Sequence, residues 1–279
     1  MSNYPVPPPT YAQGSQAPKT NYHSTDEAAE PLLGSSSRGG AGGFYDQPAQ
    51  GDLPDDFKYG VSVSESSPEI RNAFIRKVYT ILLCQIAATS LVGGLISQSP
   101  QAVFWVQTHV WAFYTTLIGT VVVLGLLYWK RHAYPWNFGL LSLFTLMEAG
   151  TLGVAIAFYD NVIVLQALII TIGVFVGLTL FTFQSKYDFS GMGPFLFGGL
   201  IALVMTGFVA IFLPFNRTFD LIMAIGGTLI FSGYIVYDTY MINKRLSPDE
   251  FIMGAISLYL DFINLFLNIL RLLNDIQDR

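Results

Sequence analysis

Charge is scarce in this sequence. Only 12% of its 279 residues are Asp, Glu, Lys or Arg, while 52% are hydrophobic. A soluble domain carries about 25% charged residues, so a water-soluble globule is excluded and a polytopic membrane protein is indicated. Cysteine is almost absent. Cys84, the one present, lies inside an apolar run, which rules out an intrachain disulfide and any Cys-built metal site. The His residues are His23, His109 and His132, none with a partner at ligand spacing. No Walker loop, serine elbow or metal box occurs, so neither an enzyme nor a cofactor is expected. The N-terminal stretch has no apolar core segment, so no cleavable signal peptide is expected.

Residues 1–69 are rich in Pro, Gly, Ser and Ala, and no apolar period survives there. Such a segment buries too little to offset its ordering entropy, and it reads as a disordered cytoplasmic tail. Pro8, Pro9 and Tyr11 form a Pro-Pro-x-Tyr pattern, which WW domains take as a polyproline II ligand. A WW-domain ubiquitin ligase is the partner type this suggests. Glu30-Pro31-Leu32-Leu33 resembles a dileucine sorting signal, although Ala28 holds the usual acidic place. Plain linker is the competing reading for both.

Residues 70–279 form the membrane domain. Seven apolar runs are predicted as spanning helices: 78–97, 112–129, 137–158, 162–183, 193–214, 221–242 and 251–273. Each has the length of about 18–23 residues that a bilayer demands. Glycine pairs such as Gly93-Gly94 and Gly226-Gly227 argue for close helix packing rather than against helix. Trp105, Trp111, Trp129 and Trp136 lie at or beside run ends, where interfacial aromatics belong. Arg71, Arg76, Lys77, Lys130, Arg131, Lys186, Lys244 and Arg245 fall on one side of this topology, and the opposite loops carry only Arg217. The positive-inside rule therefore places the N-terminus in the cytoplasm. The side of the C-terminus stays open.

The last run organises the rest. Its polar residues Ser257, Asp261, Asn264, Asn268, Arg271 and Asp275 recur at helical spacing and stack on one face. An ionised Asp at mid-bilayer costs roughly 2.5–3.5 kcal/mol even on lenient scales, so this face is expected to meet protein or water. The bland reading is hydrogen bonding to neighbouring helices. The sharper one is ion or proton handling. Two more acids lie within runs: Asp238 in the sixth, and Glu148 in the third, flanked by Thr145 and Thr151. If Asp238 meets Asp261, the two cannot both ionise cheaply, and a proton is shared between them. Such a pair attracts a divalent cation and exchanges it for protons, so it is a weak, transient Ca²⁺ site that is sensitive to pH. Ser257, Asn264, Asn268 and Glu148 are candidate pathway lining. The same acids suggest an intramembrane aspartyl protease, but Leu258, Tyr259 and Leu260 stand where that family has Gly-x-Gly.

Phe144-Thr145 after Pro135-Trp136-Asn137, FTFQSKYDFSG at 181–191, YIVYDTY at 234–240 and LSPDEFIMGAISLYLDFINLFLNIL at 246–270 together resemble the Bax-inhibitor (transmembrane Bax-inhibitor motif) family. The match is closest to its lifeguard branch and covers about Glu69 to Asp278. The resemblance implies an all-α, seven-helix bundle with the last helix at the centre. It implies a pH-sensitive Ca²⁺ leak from intracellular stores and protection against stress-induced cell death. It places the paired sensor aspartates at Asp238 and Asp261 and includes a basic latch, for which Lys130 and Arg131 are the candidates. Endoplasmic reticulum is the first expected location, with Golgi or vacuole open. Two rival readings remain: a membrane-anchored interaction protein that works through its tail and cell-death regulators, and a proton-coupled Ca²⁺ exchanger.

Overall fold

The computed structural model describes residues 62–213 and 216–277. Pro8, Pro9, Tyr11 and the dileucine-like piece lie outside the described residues. Eight α-helices follow one another: α1 (Pro68–Ser97), α2 (Pro100–Thr108), α3 (Val110–Trp129), α4 (Trp136–Ile156), α5 (Asn161–Gln184), α6 (Gly193–Phe212), α7 (Arg217–Lys244) and α8 (Phe251–Gln277). No strand occurs among the described residues. The protein is an all-α polytopic membrane bundle. Six helices are long and apolar enough to cross a membrane: α1, α4, α5, α6, α7 and α8. The apolar stretch of α3, Tyr114–Trp129, is shorter. All 20 residues of α3 rise about 30 Å, the thickness of a hydrocarbon core. Each of the seven apolar runs thus has its helix, and α2, of nine residues, is an addition between the first two.

Local chemistry sets the helix ends. The Ser67 hydroxyl accepts from the Ile70 N–H and Pro68 occupies the first helical position, so α1 begins well before its apolar run. Ser99 and Pro100 start α2 in the same way. The Asp160 carboxylate caps α5 at Val162 N–H, 2.7 Å, and the Asn216 amide oxygen caps α7 at Phe219 N–H, 2.9 Å.

Packing places α8 innermost. Ala255, Leu258, Tyr259, Leu265 and Leu270 have no exposed surface. α8 packs directly on α1, α5 and α7 and reaches α4 through Phe144 and Tyr259, whose rings meet edge-on at 5.9 Å. α3 lies against α4 and α6 against α7, one layer further out. The outer faces are apolar: Ile118 and Val121 on α3, Ile169 on α5, and Val204 and Phe208 on α6 are exposed. In water these would form aggregating patches, whereas here they face lipid. Trp111, Trp129 and Trp136 are also exposed at helix ends, and Trp105 stacks on His109 at 4.8 Å at the end of α2.

α1 and α4 meet backbone to backbone. A Cβ at Gly153 would lie 2.8 Å from the Gly93 carbonyl oxygen, and one at Gly93 would lie 3.3 Å from the Ala149 oxygen. At one end of the bundle three connections are tied together. Arg131 pairs with Glu250 at 3.4 Å, and Arg245 with Asp188 at 3.7 Å. Hydrogen bonds from the Ser190 side chain and backbone and from Tyr240, with Arg245 nearby, hold the exposed Asp188 carboxyl down at about 2. The Val63 N–H donates to the Leu246 oxygen at 2.9 Å, and Val63 is fully buried. Ordered packing therefore reaches back past position 70.

Candidate functional site

Asp238 and Asp261 meet. α7 and α8 run unbroken beside each other, and the two carboxyl groups come within hydrogen-bonding contact, with the Ser257 hydroxyl beside Asp238. Asp261 is buried and Asp238 partly so. Both groups accept when ionised, so their contact becomes a hydrogen bond only when one carries a proton. Asp261 Oδ2 is buried and receives no donor from the described residues. Tyr234, one turn before Asp238, faces both acids.

The polar stripe of α8 continues from this pair. Asn264 Nδ2 donates to the Leu260 oxygen and Asn268 Nδ2 to the Asn264 oxygen, each at 2.8 Å. Bonding back along their own helix leaves the amide oxygens to face outward. Asn268 fits because α7 has Gly227 opposite: a Cβ there would run into the Asn268 amide. Both Asn residues line a cavity of about 330 Å³ between α6, α7 and α8, together with Asp220 and Arg271. Asp220 and Arg271 also line a second, polar cavity of about 310 Å³ with Asn274 and Asp275. The two cavities share Asp220 and Arg271 and together form a groove from the outer end of α8 inward to Asn264, one turn from Asp261, with Leu, Val and Phe side chains on much of its inner wall. Arg217 reinforces its mouth by donating from Nη2 to the Asp275 oxygen at 2.7 Å.

Known proteins bear on what this arrangement is. The family described as "Inhibitor of apoptosis-promoting Bax1" matches residues 71–279. The chain belongs to the Bax-inhibitor family. Its relatives include "Bax inhibitor 1" of Schizosaccharomyces pombe, 48% identical over 224 residues, covering 80% of this chain and 84% of that protein. "Protein lifeguard 4" of Mus musculus is 40% identical over 227 residues, 81% of this chain and 95% of the relative. "Golgi anti-apoptotic protein" of Vaccinia virus is 40% identical over 221 residues, 79% and 93% respectively.

In this Bax-inhibitor chain the latch candidates point elsewhere than to the acid pair. Arg131 goes to Glu250, and Lys130 lies over the Trp129 ring at 4.9 Å. Among the described residues no ion pair reaches Asp238 or Asp261. The reason is position: both bases lie in the α3–α4 connection, beyond the helix ends, while the acids lie within the spans. Glu148 also sits apart from the groove. It borders Tyr259, whose hydroxyl shares a 2.7 Å hydrogen bond with Thr89 of α1. Next to it Gln85 Nε2 donates to Thr145 Oγ1 at 3.1 Å. This second polar cluster binds α1, α4 and α8 together. Its partners lie 60 and 170 residues apart in the chain, so no spacing in the sequence announced it. Tyr259→Phe leaves the buried Thr89 hydroxyl without its partner, which is expected to cost about 1–3 kcal/mol. A lowered unfolding midpoint of the purified protein in detergent, with Tyr79→Phe measured in parallel, checks this.

Proposed function

We propose that this protein is a pH-sensitive, passive Ca²⁺ leak of an intracellular membrane, with an anti-apoptotic role like that named in its relatives. The observation that carries the reading is the contact between the Asp238 and Asp261 carboxyls, one turn inward from the Asn264 that lines the cavity between α6, α7 and α8. Two carboxyls and one hydroxyl supply too few oxygens for the six to eight that hold Ca²⁺ firmly. A site that binds weakly suits permeation, because the ion must leave again. The shared proton competes with the cation for the same oxygens, which makes the leak respond to pH. Asn264 and Asn268 extend the path toward Asp220, Arg271 and Asp275, and Ser257 stands on the other side of the pair, beside Asp238. The positive-inside bias supports a cytoplasmic N-terminus, which puts the groove mouth on the opposite side. The endoplasmic reticulum is the reading the resemblance supports, and the name of the viral relative keeps the Golgi beside it.

The test is flux from liposomes holding a trapped Ca²⁺ dye across a pH series. A Ca²⁺ gradient alone drives a leak. Movement that requires a pH gradient belongs instead to the exchanger reading. The interaction-protein reading draws on Pro8, Pro9 and Tyr11 as a WW-domain ligand. Deleting residues 1–61 is expected to leave flux within about twofold of the full chain, since the groove lies wholly outside that segment. If cell protection is lost while flux persists, the tail and its partners carry the protective role.

A further inference from the structure

A groove on another side of α8 plays no part in the cation path. α1 and α5 both pack on α8, and between them opens a cavity of about 440 Å³, a size that suits small-molecule ligands. Phe262 and Phe266 of α8 form its floor and Leu152 of α4 backs it. Leu91 and Leu165 flank its opening and are themselves exposed. The opening lies along two membrane-spanning helices, so what enters is lipid rather than water.

One end of the groove is polar. Gln98 follows the last residue of α1 and Asn161 is the first of α5, so both stand at the depth of the bilayer interface. Gln98 Nε2 donates to Asn161 Oδ1 at 2.7 Å. That leaves Gln98 Oε1 as an acceptor and Asn161 Nδ2 as a donor, with no other partner among the described residues. A hydroxyl, which both donates and accepts, matches this pair. A phosphate does not: no Lys, Arg or His lines the groove, and the Asp160 carboxylate stands next to Asn161. Gly94 keeps the α1 wall flat, and a Cβ built there meets nothing within 4 Å. Both amides are exposed, and an occupant that suits groove and amides together is a rigid, flat hydrocarbon with a single neutral hydroxyl at one end. Such a molecule loses little conformational freedom on binding.

We propose that this groove binds a membrane sterol, with its hydroxyl at Gln98 and Asn161 and its ring system along Phe262 and Phe266. The site shares no residue with the acid pair or the Asn264–Asn268 stripe, so it stands or falls apart from the leak.

The test uses the full chain in nanodiscs containing a photoreactive, alkyne-tagged sterol. Labelling is expected on α1 and α5 peptides, with competition by unlabelled sterol. Gly94→Phe starts from an open position, where a Cβ meets nothing within 4 Å, and sends its ring into the groove, which is expected to cut labelling at least about tenfold. Gln98→Leu with Asn161→Leu removes the hydroxyl partners and is expected to cut it about three- to tenfold. Unchanged labelling in the Gly94→Phe protein overturns the proposal. So does equal labelling of the same peptides by a photoreactive phosphatidylcholine that sterol does not displace, which would make the groove a general acyl-chain crevice. Should Gly94→Phe fail to run as a single species on size exclusion, the Gln98/Asn161 variant decides alone, and unchanged labelling there overturns the proposal.

Discussion

Asp261→Asn is expected to leave a Ca²⁺ leak that no longer responds to pH near neutrality. Asparagine has the shape of a carboxylic acid whose proton cannot leave. In the native pair the two buried acids touch, and a hydrogen bond between them needs a shared proton, so the protons the pair holds depend on pH as a unit. With Asn at 261, the amide N–H offers the Asp238 carboxylate a donor at every pH, in place of the proton the native pair gains and loses. The site then keeps the charge of a native pair holding one proton. Asp238→Asn gives the same charge by the other route, so the two single variants should share one flat profile. The double variant has no carboxylate left. At an effective dielectric constant near 20, a unit charge at 4 Å is worth about 4 kcal/mol to a monovalent ion and more to Ca²⁺. Losing it is expected to reduce flux by at least about tenfold. The Asp188–Arg245 pair serves as an internal control, since Asp188 is held at about 2 and stays ionised throughout the series. A single variant that keeps the native pH profile would remove the acid pair from the path.

Gly153→Ala and Gly150→Ala should move stability in opposite directions, although both add one methyl group to the same helix. At Gly153 the new carbon would fall 2.8 Å from the Gly93 carbonyl oxygen and 3.0 Å from its Cα, both backbone atoms that cannot swing aside. α1 and α4 must then part, at the upper end of the roughly 1–3 kcal/mol usual for overpacking. At Gly150 the new carbon meets nothing within 4 Å, and the helix gains about 0.5–1 kcal/mol from replacing glycine. Unfolding midpoints in detergent read the difference, at about 2–4 °C per kcal/mol for a domain of this size. Equal shifts in both variants would mean that the α1–α4 approach is not tight.

The spans were legible because hydrophobicity alone writes them: seven runs, seven helices, with the starts of α1, α5 and α7 set by capping residues ahead of the apolar stretch. α2 escaped because nine residues without a polar face look like loop between two long runs. The Ser99–Pro100 pair was the signal that could have marked it, as a cap followed by proline. The acid pair was legible from a different rule, that lipid does not tolerate isolated carboxylates, and the meeting of Asp238 with Asp261 follows it. The latch was not legible, because loop bases choose partners by where connections cross, and Arg131 crosses Glu250. Glu148 shows the same limit. Its depth in α4 was plain, but which side of α8 it meets depends on helix rotation, and that rotation puts it beside Tyr259.

The enclosure of α8 has a consequence for biogenesis. The helix that fills the middle is made after the seven that surround or flank it, at the pace of about 5–20 residues per second typical of translation. Until it arrives, the walls formed by α1, α5 and α7 have lipid or one another for company. Assembly therefore finishes by slotting a polar-striped rod into a waiting socket. A ribosome that stalls between Lys244 and Asn264 would leave in the membrane a hollow shell with Asp238 unmated.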